Sequence, residues 1–412
     1  MALIVQKFGG TSVADPDRIR NVARRVADTR RAGNDVIVVV SAMGGSTDDL
    51  IDLAHRVSES PPAREMDMLL TAGERISMAL LAMALHDEDT PAMSLTGSQA
   101  GILTDASHGD AKITEIRGTR VQDGLESGSV VIVAGFQGVD PESKEITTLG
   151  RGGSDATAVA LAAAHQAAVC EIYTDVDGIY TADPRLVPEA RRLAEVSFEE
   201  MLELSAAGTG VLMARSVEVG RRYNIPIHVR SSFEASEGTW VKEKTMEQAI
   251  ISGIAHDSSE AKVTVAGVPD TPGVAAALFE PLAEAGVNID MIVQNVSHDG
   301  TTDISFTVPR SFADEAMRIT GDLAQSLGAG GTDLDEDVGK VSLVGAGMKS
   351  HPGVAARVFR ALANASINVE MISTSTIRIS CIVRSDQLDE AVQALHREFN
   401  PPMITQEVGA DG

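Results

Sequence analysis

Cysteine is nearly absent from this chain, with only Cys170 and Cys381 in 412 residues. Each lies in an apolar, strand-like run, so we expect two small core residues rather than a disulfide or a metal pair, in a reducing cytoplasm. The N-terminal segment enters a strand at once and has no basic leader. No uninterrupted apolar run reaches the roughly 18 residues that span a bilayer. These absences predict a cytosolic protein with no membrane partner.

Basic residues are also scarce, with 34 against 59 acidic ones and a formal net charge of -25. Nucleic acids and anionic membranes bind basic surfaces, so the composition argues against both as partners. An anionic substrate must therefore meet positive charge that is gathered locally. With 43% hydrophobic and 23% charged residues, the chain has the balance of a soluble globular protein, and its length predicts two to four domains.

The most informative stretch is the glycine-rich turn 148–155, Thr-Leu-Gly-Arg-Gly-Gly-Ser-Asp. Its glycines leave backbone N–H groups free to face an anion, and the apolar run 156–168 predicts a helix whose N-terminus adds partial positive charge. Arg151 can bind a carboxylate through two parallel hydrogen bonds, while Asp155 can hold a lysine or cap the helix. Taken alone, such a turn is more often an ordinary helix entry.

Two more glycine turns follow predicted strands. Strand 3–6 leads into Lys7-Phe8-Gly9-Gly10-Thr11-Ser12 and then a helix over 17–31, and the β-branched run 36–40 leads into a turn over 41–48. Ligands of open α/β sheets bind beyond the carboxyl ends of the strands, so we expect these turns to lie close together. Lys7 is either a charge for a phosphate or a solvated surface lysine. Thr47 either contacts substrate or starts the helix from Asp48.

The remaining segments of the first half continue this alternation. Glu74 falls in a predicted helix over 66–85, where a solvated acid is the plain alternative to a ligand. Asp175 and Asp177 follow a strand that begins at Cys170, and either pair with lysine, approach nucleotide-bound Mg²⁺ or form Asx turns. Strand 130–134, helix 198–207 and strand 225–229 complete one α/β domain over 1–232 with a mostly parallel sheet, followed by a polar linker over 233–248.

The second half repeats itself. Pro272-Gly273, Asn288 and Met291-Ile292 recur 80 residues later, because 352 minus 272, 368 minus 288 and 371 minus 291 all equal 80. Each copy has the order βαββαβ, which predicts an antiparallel sheet with helices on one face. The copies cover 262–336 and 338–410, and the strand-like segment 249–261 adds to the second. They either only dimerise the protein or enclose a small polar ligand.

Six motifs in register, at 7–13, 41–44, 71–75, 135–138, 148–155 and 173–178, resemble those of the aspartate kinases. These belong to the amino-acid kinase family and carry paired C-terminal ACT domains. The resemblance implies a three-layer α/β/α kinase domain and two ferredoxin-like ACT domains. It also implies transfer of the γ-phosphoryl group of MgATP to the β-carboxylate of L-aspartate, the first step of lysine, threonine and methionine biosynthesis.

The resemblance further implies roles for individual residues. Lys7, Arg151 and Asp155 would be catalytic, with Asp155 orienting Lys7. Aspartate would be held by Ser41, Thr47, Glu74, Arg151, Gly152, Gly153 and Ser154, with Glu74 on the ammonium and Arg151 on a carboxylate. The nucleotide would contact Lys7, Phe8, Gly9, Gly10, Tyr173, Thr174, Asp175, Ile179, Tyr180, Asp183, Pro184, Thr209 and Gly210. A carboxylate is already an anionic nucleophile, so catalysis needs no His or Cys nucleophile and no protein-bound metal besides the Mg²⁺ of the nucleotide.

The similarity is closest to the actinobacterial type, whose members are inhibited by lysine and threonine together. Effector contacts would be Asp270, Gly273, Val274, Asn288, Asp290 and Gln294 in the first repeat and Val354, Asn368 and Val369 in the second. The repeats would also join subunits into a homo-oligomer, and a second, shorter subunit started at Met246 is an option.

One position departs from the family pattern. Gly210 stands where relatives often carry a lysine, which predicts weaker ATP binding or compensation by a cation such as Arg215. Three other functions compete: a kinase of N-acetylglutamate or glutamate, an amino-acid-binding protein with an inactive kinase domain, and a bifunctional kinase-dehydrogenase. The opening motif and the double repeat argue against the first. Lys7, Arg151 and Asp155 argue against the second, and the chain length argues against the third.

Overall fold

The computed structural model describes residues 1–243, 251–295 and 300–399, with only the backbone at 349 and 350. These residues form two compact units, one built from 1–179, 192–205 and 210–243 and the other from 180–191, 206–209 and 251–399. Met246 and the predicted segments 244–250 and 400–410 lie outside the described residues. The division at 232 and the bounds of the two repeats therefore stay our proposal for the domains.

The first unit is built around an eight-stranded sheet in the order β10-β12-β11-β9-β1-β2-β6-β3 and a four-stranded sheet in the order β5-β4-β7-β8. In the large sheet the pairs are parallel except β11 with β12. The strands are β1 Leu3–Phe8, β2 Asp35–Val40, β3 Ala92–Leu95, β4 Ile102–Thr104, β5 Ile113–Ile116, β6 Val130–Ala134, β7 Gln137–Val139, β8 Ile146–Thr148, β9 Val169–Thr174, β10 Glu195–Val196, β11 Ile227–Ser231 and β12 Thr239–Val241.

Of the seven helices described in this unit, six bury apolar residues, whereas the helix Ser46–Val57 buries none. The first helix begins where Asp15 accepts a hydrogen bond from the Arg18 N–H and a proline follows at its first position, as is usual at helix starts. The helices are α1 Pro16–Arg31, α2 Ser46–Val57, α3 Ala63–Asp87, α4 Thr119–Glu126, α5 Gly153–Ala164, α6 Phe198–Ala206 and α7 Ala214–Tyr223.

The carboxyl end of β1 marks the place where a ligand is expected. Chain order reverses on the two sides of β1, because its neighbours are β2 and β9. Phe8 at the end of β1 pairs with Val40 on one side and with Tyr173 on the other. The turns that follow these strands therefore start at one level, at the switch point where open α/β sheets bind ligands.

Two expectations for the first unit were wrong in detail. The helix predicted over 156–168 begins three residues earlier and ends at Ala164, because Gln166 takes a left-handed conformation (φ 52°) before β9 starts. Part of the predicted linker over 233–248 is the strand β12, with Thr239 and Val241 buried and the Trp240 ring stacked on His228. Three residues between polar flanks are too few to show a strand period.

Helix α3 is long and apolar enough to cross a membrane by length and composition alone. Core helices of globular domains pass the same test. Here α3 packs against α1 and the sheet, and it carries Asp67 and Glu74 on its buried face. Glu74 and Arg75 interrupt its apolar sequence, which is why no uninterrupted run of the required length was expected. We assign α3 to the core.

The second unit contains two four-stranded sheets in the orders β15-β16-β14-β17 and β13-β18-β20-β19, whose pairs are antiparallel. The first sheet closes with its own last strand, whereas the second takes β13 from ahead of both repeats. The elements are β13 Gly253–Asp257, β14 Glu260–Pro269, α8 Val274–Glu284, β15 Ile292–Gln294, β16 Thr301–Pro309, α9 Ala313–Leu327, β17 Gly331–Asp335, β18 Val338–Val344, α10 Val354–Asn364, β19 Met371–Thr374, β20 Arg378–Arg384 and α11 Leu388–Phe399. The predicted fold class is confirmed.

Ion pairs join the two repeats in a nearly symmetric way. The Lys340 Nζ atom lies 2.7 Å from Glu260 Oε1 and 2.6 Å from Asp290 Oδ2, while Lys262 pairs with Glu370. Lys340 and Glu260 are 80 residues apart, and so are Glu370 and Asp290. Each repeat thus supplies a lysine, from β14 or β18, to an acid of the other repeat. That acid lies two residues after the asparagine, as Glu370 follows Asn368 and Asp290 follows Asn288. Glu260 and Asp290 raise the pKa of Lys340 despite its burial, which by itself would lower that pKa.

Candidate active site

A cavity of about 650 Å³ opens in the first unit beyond the carboxyl ends of β1 and β2. It gathers every residue predicted to be catalytic or to hold aspartate, and three of the predicted nucleotide residues, Lys7, Gly9 and Gly10. Its lining includes Lys7, Gly9, Gly10, Ser41, Thr47, Glu74, Arg151, Gly152, Gly153, Ser154 and Asp155. These residues come from four separate motifs of the sequence.

Lys7 and Asp155 form an ion pair inside this cavity. The Lys7 Nζ atom lies 2.6 Å from Asp155 Oδ1, and both side chains are about nine-tenths buried. Lys7 ends the central strand β1, and Asp155 lies in the first turn of α5. A Cβ atom on Gly9 would come within 3.6 Å of the Lys7 Nζ atom. Asp155 therefore fixes the ammonium of Lys7 beside the glycine turn.

The turn between β8 and α5 needs its glycines. Gly150 and Gly152 have φ angles of 73° and 68°, a region that residues with a Cβ adopt at a cost. A Cβ atom on Gly152 would also lie 1.7 Å from Cγ of Met213. Helix α5 starts without a side-chain cap, so its positive end stays available to an anion.

Glu74 is buried and only half satisfied. Its Oε1 atom accepts a hydrogen bond of 3.1 Å from the Ala42 N–H, whereas Oε2 has no partner in the described part of the chain. Burial raises the pKa of Glu74 to about 7, although the Ala42 bond opposes the shift. A carboxylate that lines a cavity with one free oxygen is suited to an ammonium group, which would supply the missing partner.

Arg151 and Thr47 complete the polar lining. The Arg151 side chain is exposed, and no residue in the described ranges forms an ion pair or hydrogen bond with it. Helix α2 begins at Ser46, so Thr47 lies within its first turn and does not cap it. The lining of the cavity thus includes both a free guanidinium and a buried carboxylate.

Comparison with known proteins identifies the family. Residues 2–231 match the model of the amino acid kinase family, and residues 258–320 and 341–399 match an ACT domain. The chain is 60% identical over 405 residues to the aspartokinase of Mycolicibacterium smegmatis, covering 97% of this chain and 96% of that protein. It is 56% identical to the aspartokinase of Corynebacterium glutamicum, with the same coverage. The chain belongs to the aspartate kinases.

Solved structures agree with this assignment. The structure of E. coli aspartokinase III in complex with aspartate and ADP matches with a TM-score of 0.83, at 27% identity over 97% of this chain and 100% of that one. The lysine and aspartate complex of the same enzyme matches with a TM-score of 0.74 over 96% of this chain and 99% of that one, also at 27% identity. The protein is therefore an ATP-dependent kinase, and the cavity is its candidate aspartate site.

The structure does not gather all predicted nucleotide residues in this cavity. Phe8 and Tyr173 are buried and stack on each other at 4.8 Å. Thr174 donates to Asp175 at 3.1 Å, and Ile179 is buried. Tyr180, Asp183, Pro184 and Thr209 belong to the second unit, where Asp183 pairs with Arg185 at 2.7 Å. The nucleotide contacts of this aspartate kinase stay predictions.

Arg215 was suggested as a substitute for the lysine missing at Gly210. Its guanidinium instead donates to the carbonyl of Leu149 at 3.2 Å and to that of Ala111 at 2.7 Å. It does not line the cavity. Arg215 therefore supports the base of the glycine turn, and nothing found for it favours contact with a phosphate.

The predicted effector residues lie on the two repeats. Gly273 and Gly353 both precede a helix with nearly equal φ angles of 97° and 96°, which reflects the repeat, and Val274 and Val354 open those helices. Asp270, Asn288, Gln294 and Asn368 are exposed, and Val369 is half-buried. Asp290 differs from the others because Lys340 already binds its carboxylate. Their role in effector binding remains a prediction.

Sequence reasoning missed Asp67, which is buried and lines the cavity. It lies seven residues before Glu74, about two helical turns, so both acids lie on one face of α3. A second acid on the buried face of an apolar helix was the signal that would have found it.

Proposed function

We propose that this chain transfers the γ-phosphoryl group of MgATP to the β-carboxylate of L-aspartate and forms 4-phospho-L-aspartate, the first step of lysine, threonine and methionine biosynthesis. The observation that carries the proposal is the free oxygen of Glu74 in a cavity that also holds the Lys7–Asp155 pair and Arg151. In this assignment Glu74 accepts from the substrate ammonium. Arg151 binds a carboxylate with Ser41, Thr47 and the 152–154 turn around it.

In this reaction the protein has to align the two substrates and neutralise the negative charge on the transferring phosphoryl group. ATP supplies an activated phosphoryl group, and the substrate carboxylate is already ionised at neutral pH. Lys7, oriented by Asp155, stabilises negative charge on the transferring group, and the uncapped start of α5 adds partial positive charge. The described residues contain no cluster of three or more His, Cys, Asp or Glu suited to a metal ion. We therefore propose that Mg²⁺ arrives with the nucleotide.

Trapping of the acyl phosphate with hydroxylamine tests this reaction. We expect a hydroxamate that depends on both ATP and L-aspartate, with glutamate and N-acetylglutamate giving far less product. Lys7→Met should reduce kcat by about 10²-fold or more, as loss of a preorganised charge usually does. The exposed Lys144→Met should leave kcat unchanged. Hydroxamate formed preferentially from glutamate would contradict the proposed substrate.

We propose that the ACT repeats bind L-lysine and L-threonine and that these effectors act together. The E. coli neighbour named above was solved with lysine, which supports an amino-acid effector. Within the second unit, segment 180–191 carries three predicted nucleotide residues and packs in the core of the second repeat. There the Thr181 hydroxyl lies 3.0 Å from Nε2 of His396, and its carbonyl accepts from the Ile254 N–H.

Asp270→Ala tests the regulatory proposal. It should relieve inhibition by the effector pair and leave uninhibited turnover unchanged, while Asp322→Ala on the exposed face of α9 should change neither. Loss of activity together with inhibition would argue against a separate effector site.

We further propose that the ACT repeats join subunits into a homo-oligomer in the cytoplasm, with neither nucleic acid nor membrane as partner. Exposed Ile292 and Ile372 on the edge strands β15 and β19 support such an interface. Light scattering with and without lysine and threonine would measure the assembly. Mass spectrometry of the expressed protein would show whether a shorter subunit starts at Met246.

A further inference from the structure

Two acids on one face of α3 line the cavity, yet their hydrogen bonding differs completely. Among the residues that the structure describes, one oxygen of Glu74 has no partner, as is usual for a ligand-binding group. Asp67 is only 1% exposed, and both of its oxygens accept hydrogen bonds from the protein. We propose that Asp67 is a positioning residue that sets the distance between Glu74 and Arg151, and so decides which length of amino-acid substrate fits. This inference rests on the substrate roles proposed above for those two residues.

The bonds of Asp67 reach two different segments. Its Oδ1 atom accepts from the Thr148 hydroxyl at 2.5 Å and from the Gly109 N–H at 3.1 Å. Its Oδ2 atom lies 2.6 Å from Nδ1 of His108. Removal of this buried acceptor would leave the Thr148 hydroxyl, the Gly109 N–H and Nδ1 of His108 without this partner, which is costly in a buried site. Asp67 therefore connects α3 to the end of β8 and to the loop at 108–109.

This loop in turn supports the glycine turn. A Cβ atom on Gly150 would lie 3.1 Å from the carbonyl oxygen of Gly109 and 3.1 Å from Oδ1 of Asp110, so the loop packs directly against the turn. The Ala111 N–H also donates to the Thr148 carbonyl at 2.9 Å. Arg151 follows Gly150, so its backbone position depends on this loop as well as on β8.

Specificity follows from this connection. Glu74 is carried by the long helix α3, whereas Arg151 is carried by a turn with two left-handed glycines. Asp67 ties both the turn's first residue and its supporting loop to the helix that carries Glu74. The separation between the ammonium site and the carboxylate site is thereby fixed. One extra methylene, as in glutamate, then strains the fit, an effect usually worth about 10- to 200-fold in kcat/KM.

The test uses graded variants of the full-length enzyme. Asp67→Ala removes every bond, Thr148→Val removes only the hydroxyl, and Asp67→Asn keeps one acceptor oxygen. We expect Asp67→Ala to raise the KM for aspartate about tenfold or more and to lower the aspartate-to-glutamate ratio of kcat/KM about tenfold, with the KM for ATP within twofold. Thr148→Val and Asp67→Asn should show the same pattern more weakly. The exposed Asp87→Asn at the end of α3 is the matched control.

The outcomes separate this inference from the proposed function. Glu74→Gln is measured in parallel, and it should raise the KM for aspartate if that side chain binds the ammonium. If Glu74→Gln behaves so while Asp67→Ala and Thr148→Val leave the aspartate-to-glutamate ratio unchanged, the role of Asp67 is refuted and the substrate assignment stands. If Glu74→Gln leaves aspartate binding unchanged, the substrate assignment fails first. Should Asp67→Ala not fold, Thr148→Val decides alone.

Discussion

Glu74→Gln offers the most discriminating single change in this enzyme, because it should stabilise the free protein and damage substrate binding at once. Burial raises the pKa of Glu74 from 4.5 to about 7. One pKa unit corresponds to about 1.4 kcal/mol, so the ionised side chain costs the fold about 3 kcal/mol above pH 7. Glutamine keeps the acceptor for the Ala42 N–H and removes the charge. Its unpaired amide group costs part of the gain, which leaves about 2 kcal/mol.

The sign of the pH dependence follows from the raised pKa. Below pH 4.5 Glu74 is protonated in both the folded and the unfolded protein, and its contribution to stability is fully present. Between pH 4.5 and about pH 7 the unfolded chain ionises first, so this contribution is lost as the pH rises. Glu74→Gln should therefore match the wild type near pH 4.5 and be more stable than it at pH 8. Urea unfolding across this range measures the difference.

Substrate binding should show the opposite preference. An ammonium in the cavity needs Glu74 ionised, so kcat/KM for aspartate should fall about tenfold for each pH unit below 7 in the wild type. In Glu74→Gln this fall of kcat/KM below pH 7 should disappear. The KM for aspartate should rise about 10²-fold, because a buried charge-assisted hydrogen bond is lost.

Two results would refute this reasoning. A variant less stable than the wild type at pH 8 would mean that the ionised carboxylate has a partner inside the protein. If kcat/KM for aspartate still fell below pH 7 in the variant, another group would control aspartate binding. Glu218→Gln, on an exposed part of α7, controls for general effects of removing an acid and should alter neither measurement.

Three further changes test other parts of the structure. Gly152→Ala should abolish activity and lower the melting temperature, because its Cβ would collide with Met213, whereas Gly33→Ala, with a similar positive φ and open space, should cost only about 1 kcal/mol. Lys340→Met should destabilise the second unit by about 3–5 kcal/mol by leaving Glu260 and Asp290 unpaired, against less than about 1 kcal/mol for the exposed Arg318→Met, as unfolding in urea would show. Gly210→Lys should lower the KM for ATP relative to Gly210→Ala, which carries the same strain at φ 69° without the charge; equal KM values would contradict our interpretation of this segment.

The sequence predicted the features that depend on local periodicity and on motifs. The buried strands 36–40 and 130–134 were recognisable because β-branched residues without polar alternation are typical of central parallel strands. The 80-residue offset predicted the two repeats because equivalent turns need equivalent glycines. The gathering of Lys7, Glu74 and Arg151 in one site was implied by the resemblance to the aspartate kinases, because Glu74 lies on a helix and periodicity alone left it a solvated acid.

Features that depend on contacts between distant segments could not be predicted. Whether Glu74 faces solvent or a cavity depends on Ala42, which lies 32 residues away. Strand β12 was hidden in a polar segment because its pairing partner, rather than its own sequence, determines it. Arg215 has the charge expected of a phosphate-binding residue, yet its guanidinium donates to the carbonyl groups of Leu149 and Ala111 instead. Composition and spacing carry no information about such competition.

Charge pairing explains how an acidic protein presents a site for an anionic substrate. Four acids line the cavity, Asp48, Asp67, Glu74 and Asp155, against the cations Lys7 and Arg151. Asp155 pairs with Lys7, and Asp67 accepts hydrogen bonds from the protein. Asp48 is exposed in the first turn of α2, where a helix stabilises negative charge. Glu74 has a pKa near 7 and gains full charge most readily when an ammonium approaches. Arg151 is the cation of this lining that no acid pairs in the described residues, so an incoming carboxylate can bind it although the net charge of the chain is -25.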